Sequence, residues 1–185
     1  MKKISSSLKL HLVDTTAMLS ASNPIYSGFE VFFAGMNNMV SINARGIASG
    51  LAYLGLGSLF ARGRDLSRRL FRVTDRTRER IQYLHDMGYT ATMNLLLAPP
   101  IYLASGETDI KKIAMGTGIA MAFSTVTGWP MGYAVDNFRD LIGLQESERV
   151  SNKIREQSPS VKKGLAALVT AGSVGLMAGI YALNQ

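Results

Sequence analysis

The sequence predicts an all-α integral membrane protein, in which two similar hairpins form a core of four transmembrane helices and a fifth transmembrane helix follows at the C-terminus. Charged residues make up only 18% of the 185 residues, whereas about 25% is usual for a soluble domain. The charges form short clusters, and the apolar stretches between them approach the roughly 20 residues that span a bilayer. The basic residues are concentrated in alternate clusters.

Five apolar stretches are candidate spans, and they cover residues 12–35, 42–61, 84–105, 113–135 and 164–183. The fourth is the clearest, because none of its 23 residues is charged. The fifth is rich in Gly and Ala, so an interfacial helix on the membrane surface is the alternative there. The predicted organisation is a transporter-like domain (1–143) with hairpins 12–66 and 84–141, a cytoplasmic linker (144–163) and the last helix (164–185).

The basic residues predict the topology, because Lys and Arg are enriched in cytoplasmic loops. The N-terminal tail and the second and fourth loops hold 17 of the 20 basic residues. The N-terminus is therefore expected in the cytoplasm. The second loop, 62–80, is predicted to be an amphipathic helix whose arginines contact anionic lipid headgroups. This placement accounts for the net charge of +7 and argues against a nucleic-acid partner.

Two short motifs recur along the chain. Pro24-Ile25-Tyr26 returns as Pro100-Ile101-Tyr102, and Arg64-Asp65-Leu66 returns as Arg139-Asp140-Leu141. These matches predict a duplicated hairpin with both copies in the same orientation, as in transporters built from parallel repeats.

Acidic residues inside the spans are the leading candidates for function, since an ionisable group in hydrocarbon is costly and usually faces the bundle interior or water. Asp14 and Glu30 are predicted to bind a proton or a substrate amine. The alternatives are a boundary cap for Asp14 and an ion pair with Arg45 for Glu30.

Two further acids lie at span ends. Asp86 opens the second repeat as Asp14 opens the first, and its alternative is a helix cap. Asp136 follows the fourth span, and an ion pair with Arg139 or Arg64 is the simpler interpretation of that residue.

Prolines inside the spans are Pro24, Pro99, Pro100 and Pro130. Each frees a backbone carbonyl, which at membrane depth must be satisfied by protein or line a cavity. The neighbouring polar side chains are candidates to bind a small polar solute, or else to bridge helices, and they are Asn23, Tyr26, Asn94 and Tyr102. Close helix packing and self-association are predicted from three GxxxG patterns, Gly46/Gly50, Gly128/Gly132 and Gly175/Gly179.

The chain is not expected to be an enzyme. It has no cysteine, and no serine–histidine–acid grouping, phosphate loop or metal-ligand spacing is evident. His11 and His85 are predicted at the membrane boundary. No cofactor and no metal are expected.

A set of spaced residues resembles the bacterial L-alanine exporter (AlaE) family. In the first half these are Asp14-Thr15-Thr16-Ala17-Met18, Phe29-Glu30-Val31-Phe32-Phe33-Ala34-Gly35-Met36, Arg45 and Arg64-Asp65. In the second half they are Pro100-Ile101-Tyr102, Gly132-Tyr133, Asp136 and Arg139. The fifth helix departs from the family pattern, as does the stretch Gly57-Ser58-Leu59-Phe60-Ala61 before the first Arg-Asp pair.

The resemblance implies a multi-pass protein of the bacterial inner membrane that exports L-alanine by proton antiport. Its expected partners are L-alanine or a similar small neutral amino acid, protons and membrane lipids, and four short helices favour a homo-oligomer. The alternatives are a non-transporting assembly or partner protein and a small-solute channel.

Overall fold

A computed structural model describes residues 2–74, 77–126, 128–147 and 150–185, apart from the side chains of 2–6, 58, 60–62, 65, 79, 126 and 128–132. All regular structure in these ranges is helical, with eight α-helices and two π-helical turns, so the all-α prediction is confirmed for them. The elements are α1 Lys2–Gly28, π1 Phe29–Phe33, α2 Asn38–Leu51, π2 Ala52–Leu56, α3 Gly57–Leu70, α4 Glu79–Ala104, α5 Ile110–Val126, α6 Gly128–Ile142, α7 Asn152–Arg155 and α8 Pro159–Leu183.

The chain divides into two compact units. The first consists of Met1–Gly28 and Gly128–Gln185, and the second of Phe29–Thr127. Each unit combines helices from both predicted hairpins, so the unit boundaries differ from the hairpin boundaries. The segment 144–163, predicted as a linker, contains α7 and the first turn of α8.

The first unit packs α1, α6 and α8 around a small apolar core. Ala17, Phe138, Leu141 and Ala166 are buried there. Polar side chains also join α1 to α8, since the hydroxyls of Ser27 and Tyr181 lie 2.9 Å apart. Small residues on α1 and α8 allow the two helices to approach closely enough for this contact.

The second unit has its own core, formed by α2, α4, α5 and the segment after π1. Its buried members are Ala34, Met36, Val40, Ala44, Ala98, Tyr102 and Ile113. Gly116 is a point of close packing in this core, because a Cβ there would lie 3.0 Å from the Tyr102 ring and 2.7 Å from Met36 Cε. Close approach was expected at the GxxxG patterns, but a Cβ at Gly46, Gly50, Gly175 or Gly179 would meet nothing within 4 Å in the described chain.

Local signals explain how the helices begin and end. Asn37 caps α2, because its side-chain oxygen accepts a hydrogen bond from Val40 N at 2.8 Å. α4 ends in a Schellman motif, in which Glu107 N donates to Tyr102 O and Gly106 N donates to Leu103 O. Gly106 takes φ +98° there, a conformation that L side chains rarely adopt.

The helix breaks do not fall at the prolines. α1 continues through Pro24, and α4 continues through Pro99 and Pro100. Regular helix is interrupted instead at π1 and at Gly55, which has φ +106° inside π2. Neither helix therefore ends at its prolines, and the side chain of Pro130 lies outside the description.

The amphipathic helix predicted over 62–80 is only partly present. α3 continues from the second span and ends at Leu70, and a turn follows before α4 begins at Glu79. Leu66, Leu70 and Phe71 are exposed beside the arginines of this segment.

One helix of the described residues, Pro159–Leu183, is long and apolar enough to cross a membrane by length and composition. This is the stretch for which an interfacial helix was the alternative. The four-helix transmembrane core therefore stays a prediction.

Replacing Gly106 by alanine is expected to lower the free energy of unfolding by about 1 kcal/mol, because a Cβ strains the left-handed conformation. Gly118→Ala is the matched control, since Gly118 lies inside α5 with open space at its Cβ position. That change is expected to be neutral or stabilising. Thermal unfolding of the two variants measures the difference, and equal midpoints would contradict the assignment.

Candidate functional site

A buried ion pair lies in the second unit. Glu30 on π1 is 1% exposed and Arg45 on α2 is 9% exposed, and the guanidinium contacts the carboxylate directly. Ser41 Oγ donates to Glu30 Oε2 at 2.6 Å, and the Tyr102 side chain supplies a further hydrogen bond. The ion-pair interpretation of Glu30 is thus confirmed.

Local structure explains why these groups meet. Ser41 and Arg45 are four residues apart on α2, so they lie on the same face of that helix. Glu30 lies in a turn of the π type, in which Ala34 N donates to Phe29 O five residues earlier at 2.9 Å. Turns of this type are common where a helix ends, and a short loop follows this one before α2 begins. Tyr102 comes from the last turn of α4.

The buried charges of Glu30 and Arg45 depend on each other and on the hydrogen bonds around them. Taking two charges out of water is expensive, and their attraction repays the cost only when hydrogen bonds satisfy the remaining atoms. Ser41 and Tyr102 give Glu30 those hydrogen bonds. Among the residues the sequence singled out, Glu30, Arg45 and Tyr102 are brought together here, and Ser41 is an addition that the four-residue spacing to Arg45 would have indicated.

A second ion pair lies in the first unit. Arg139 Nε donates to Asp14 Oδ1 at 2.7 Å, and Arg139 Nη2 donates to Asp14 Oδ2 at 2.5 Å. Hydrogen bonds to Asp14 raise the pKa of the Arg139 guanidinium above its usual value against the effect of burial, and the charge of Asp136 adds to the increase. Asp14 is not a helix cap, because α1 begins at Lys2.

A third ion pair joins α3 and α4 in the second unit. Arg68 Nε donates to Asp86 Oδ1 at 2.9 Å, its Nη2 contacts Oδ2, and the charge of Arg64 also acts on this carboxylate. The cap interpretation of Asp86 is wrong, because α4 begins at Glu79.

Asp14 and Asp86, the acids that open the two repeats, each pair with an arginine from a different helix. Asp14 opens the first repeat and pairs with Arg139, which closes the second. Asp86 opens the second repeat and lies near Arg64, which closes the first, although Arg68 one turn later makes the direct contact. Asp14 therefore pairs with an arginine of the second repeat, whereas Asp86 pairs with Arg68, which lies just beyond the first repeat.

A serine–histidine–acid grouping is present, contrary to the expectation from sequence. Ser67 Oγ lies 3.0 Å from His85 Nε2, and His85 Nδ1 lies 3.1 Å from Asp86 Oδ1. Arg68 already binds both oxygens of Asp86. Ser67 lies inside α3, where backbone N–H groups bond to carbonyls one turn earlier and are not free to form an oxyanion hole. The grouping is therefore a polar network between α3 and α4, and it does not support a hydrolase.

A fourth ion pair contains the buried acid Asp140, which lies at the end of α6. Lys162 Nζ donates to Asp140 Oδ1 at 2.9 Å, and Ser147 N donates to Oδ2 at 2.8 Å. Burial alone raises the pKa of Asp140, but these two hydrogen bonds, together with the charges of Lys162 and Arg155, hold the pKa below its ordinary value. In the sequence, Asp140 stands out only as the middle residue of the repeated Arg-Asp-Leu motif.

The remaining predicted residues lie apart from these clusters or outside the description. Asn23, Pro24 and Tyr26 lie on α1 in the first unit. In the second unit, Asn94 Nδ2 donates back to Thr90 O of its own helix at 3.2 Å, and Pro100 lies inside α4. The side chain of Asp65 and the surroundings of Gly128 and Gly132 lie outside the described residues.

Comparison with protein-family models gave no match, and comparisons with curated proteins and solved structures gave none either. The resemblance to the L-alanine exporter family stays a prediction that rests on the motif residues themselves.

Glu30→Gln is expected to destabilise the chain by about 3–5 kcal/mol, because it leaves the buried Arg45 charge without its partner. The double change Glu30→Gln with Arg45→Met removes both charges, so most of the stability should return. Thermal unfolding of the single and double variants tests this. A double variant as unstable as the single one would count against a paired role.

Lys162→Met is expected to lower the free energy of unfolding at pH 7 by about 3 kcal/mol, because it leaves the Asp140 carboxylate buried and unpaired. The folded-state pKa of Asp140 is depressed, so the stabilisation by Lys162 exists above the unfolded-state value and is lost as pH falls through the folded-state value. The gap between wild type and variant should therefore close in acid. Denaturant unfolding at pH 7 and at low pH measures it. The neighbouring change Lys163→Met, on an exposed side chain, should show no such gap.

Proposed function

We propose that this chain is a multi-pass protein of the bacterial inner membrane that exports L-alanine or a similar small neutral amino acid by proton antiport. The observation that carries the proposal is the buried cluster of Glu30, Arg45, Ser41 and Tyr102. Charged residues held inside a bundle of apolar helices usually belong to a substrate or ion pathway.

Exposed apolar surface supports the membrane location. Several large apolar side chains are each more than 60% exposed, including Leu54, Leu70, Leu96, Ile110, Leu168, Leu176 and Leu183. Five of these side chains, all except Leu70 and Ile110, lie within the predicted spans, where a bilayer would cover them. The basic loops between the spans favour a cytoplasmic N-terminus.

Proton coupling needs a carboxylate that can change its partner. In the described arrangement Asp14 and Glu30 each bind an arginine. Proton uptake by either acid requires its pair to separate, and a conformational change that separates a pair would link proton binding to movement of the helices. Alternating access of this kind is typical of transporters built from repeats.

A non-transporting partner protein is the second candidate, and α8 favours it. Gly175 and Gly179 lie on this helix with open space at their Cβ positions, so another helix could approach closely. The same glycines also fit the homo-oligomer that an exporter of four short helices would need.

Export from cells preloaded with an alanine-containing dipeptide tests the proposal. The wild-type chain should speed alanine efflux and should require a proton gradient. Glu30→Gln and Asp14→Asn should each slow coupled export by about tenfold or more, because each removes a carboxylate proposed to take up the proton. Glu156→Gln, in an exposed segment, is the control and should export normally.

Unchanged coupled export in both variants would refute coupling through these acids. Flux that continues without a gradient would favour the channel, and no flux together with stable co-purification of another protein would favour the partner.

A further inference from the structure

We infer that Glu30 and Arg45 are the two poles of a binding site for a zwitterionic α-amino acid, with Glu30 taking the ammonium group and Arg45 the carboxylate. This inference deepens the proposed export function and rests on it.

The charges of the site select this class of ligand. Glu30 and Arg45 neutralise each other in a buried environment. A simple cation or anion that displaced one partner would leave the other charge buried and unpaired, which costs several kcal/mol. A zwitterion carries both replacements in one neutral molecule, so each protein charge exchanges one partner for another and the net charge of the site is unchanged.

Hydrogen-bonding groups around the pair fit the same exchange. Ser41 Oγ, at 2.6 Å, and Tyr102 already bond to Glu30 and can hold the carboxylate in place while the guanidinium leaves. The guanidinium presents a planar fork of donors that matches a carboxylate in a bidentate fashion. On α5, the buried hydroxyl of Thr117 has no hydrogen-bond partner among the described atoms. It follows Gly116, which packs against Tyr102.

The surroundings favour a small side chain on the ligand. Ala34 follows Glu30 by one turn and Ala44 precedes Arg45 directly, and both belong to the buried core with Ala98. Opening such a core for a methyl group costs less than opening it for a branched chain, because overpacking a close-packed interior is destabilising. Alanine should therefore bind more tightly than leucine.

The test is calorimetric binding of three probes to the purified full-length chain. L-alanine carries both charges, ethylamine lacks the carboxylate, and propionate lacks the ammonium group. Because truncating one partner of a buried charge pair costs about 2–5 kcal/mol, L-alanine should bind at least about 30-fold more tightly than either analogue. Equal binding of ethylamine or propionate would overturn the inference.

A second set of measurements compares L-alanine binding to variants of the chain. The double change Glu30→Gln with Arg45→Met removes both poles without leaving a buried charge, so the chain should fold and L-alanine binding should fall at least about 30-fold. The matched control, Asp140→Asn with Lys162→Met, neutralises a buried ion pair of the other unit and should bind within about twofold of wild type. Arg45→Lys keeps the positive charge but loses the bidentate fork, so binding should weaken by an intermediate factor.

The outcomes separate the two proposals. If the wild type exports alanine and the Glu30–Arg45 double variant binds alanine as tightly as wild type, the two-pole site is refuted and the export function stands. If the wild type neither binds nor exports alanine, the export function fails and the inference fails with it.

Discussion

The ion pair between Glu30 and Arg45 constrains the second unit, because neither charge tolerates burial without the other. The pair fixes π1 against α2, and Ser41 and Tyr102 complete the hydrogen bonds of the carboxylate. Tyr102 then packs on Gly116, so α5 is placed by the same cluster. The apolar core of this unit therefore surrounds a polar centre. π1 and α2 must lie close together there, because they supply the two charges.

Acid–arginine pairing recurs through the molecule. Asp14 binds Arg139 in the first unit, and Asp86 binds Arg68 in the second. Asp14 opens the first repeat and its arginine closes the second, whereas the arginine that binds Asp86 lies just beyond the first repeat. Each pair joins two helices of the same unit.

Buried ion pairs stabilise little relative to apolar packing, which makes the burial of Glu30 with Arg45 and of Asp140 with Lys162 informative. An interior that only had to be stable could use leucine at these positions. Charges that can exchange partners offer something that apolar side chains cannot, namely a site that responds to a proton or a charged ligand. The π turn at Glu30 and the left-handed Gly55 interrupt regular helix where such a response would need local rearrangement.

The sequence left two interpretations of Glu30 open, one of them the pair with Arg45, and by itself determined the helical content and the spacing of the apolar stretches. These are local properties, because periodicity, caps and charge density depend on residues close along the chain. Tertiary structure decided the partners of Asp14 and Asp86, the inclusion of Ser41, the network around His85, and the close packing at Gly116 instead of the GxxxG patterns. Those features depend on which helices meet and at what rotation, and an extra residue in one π turn changes that rotation without changing any apolar pattern.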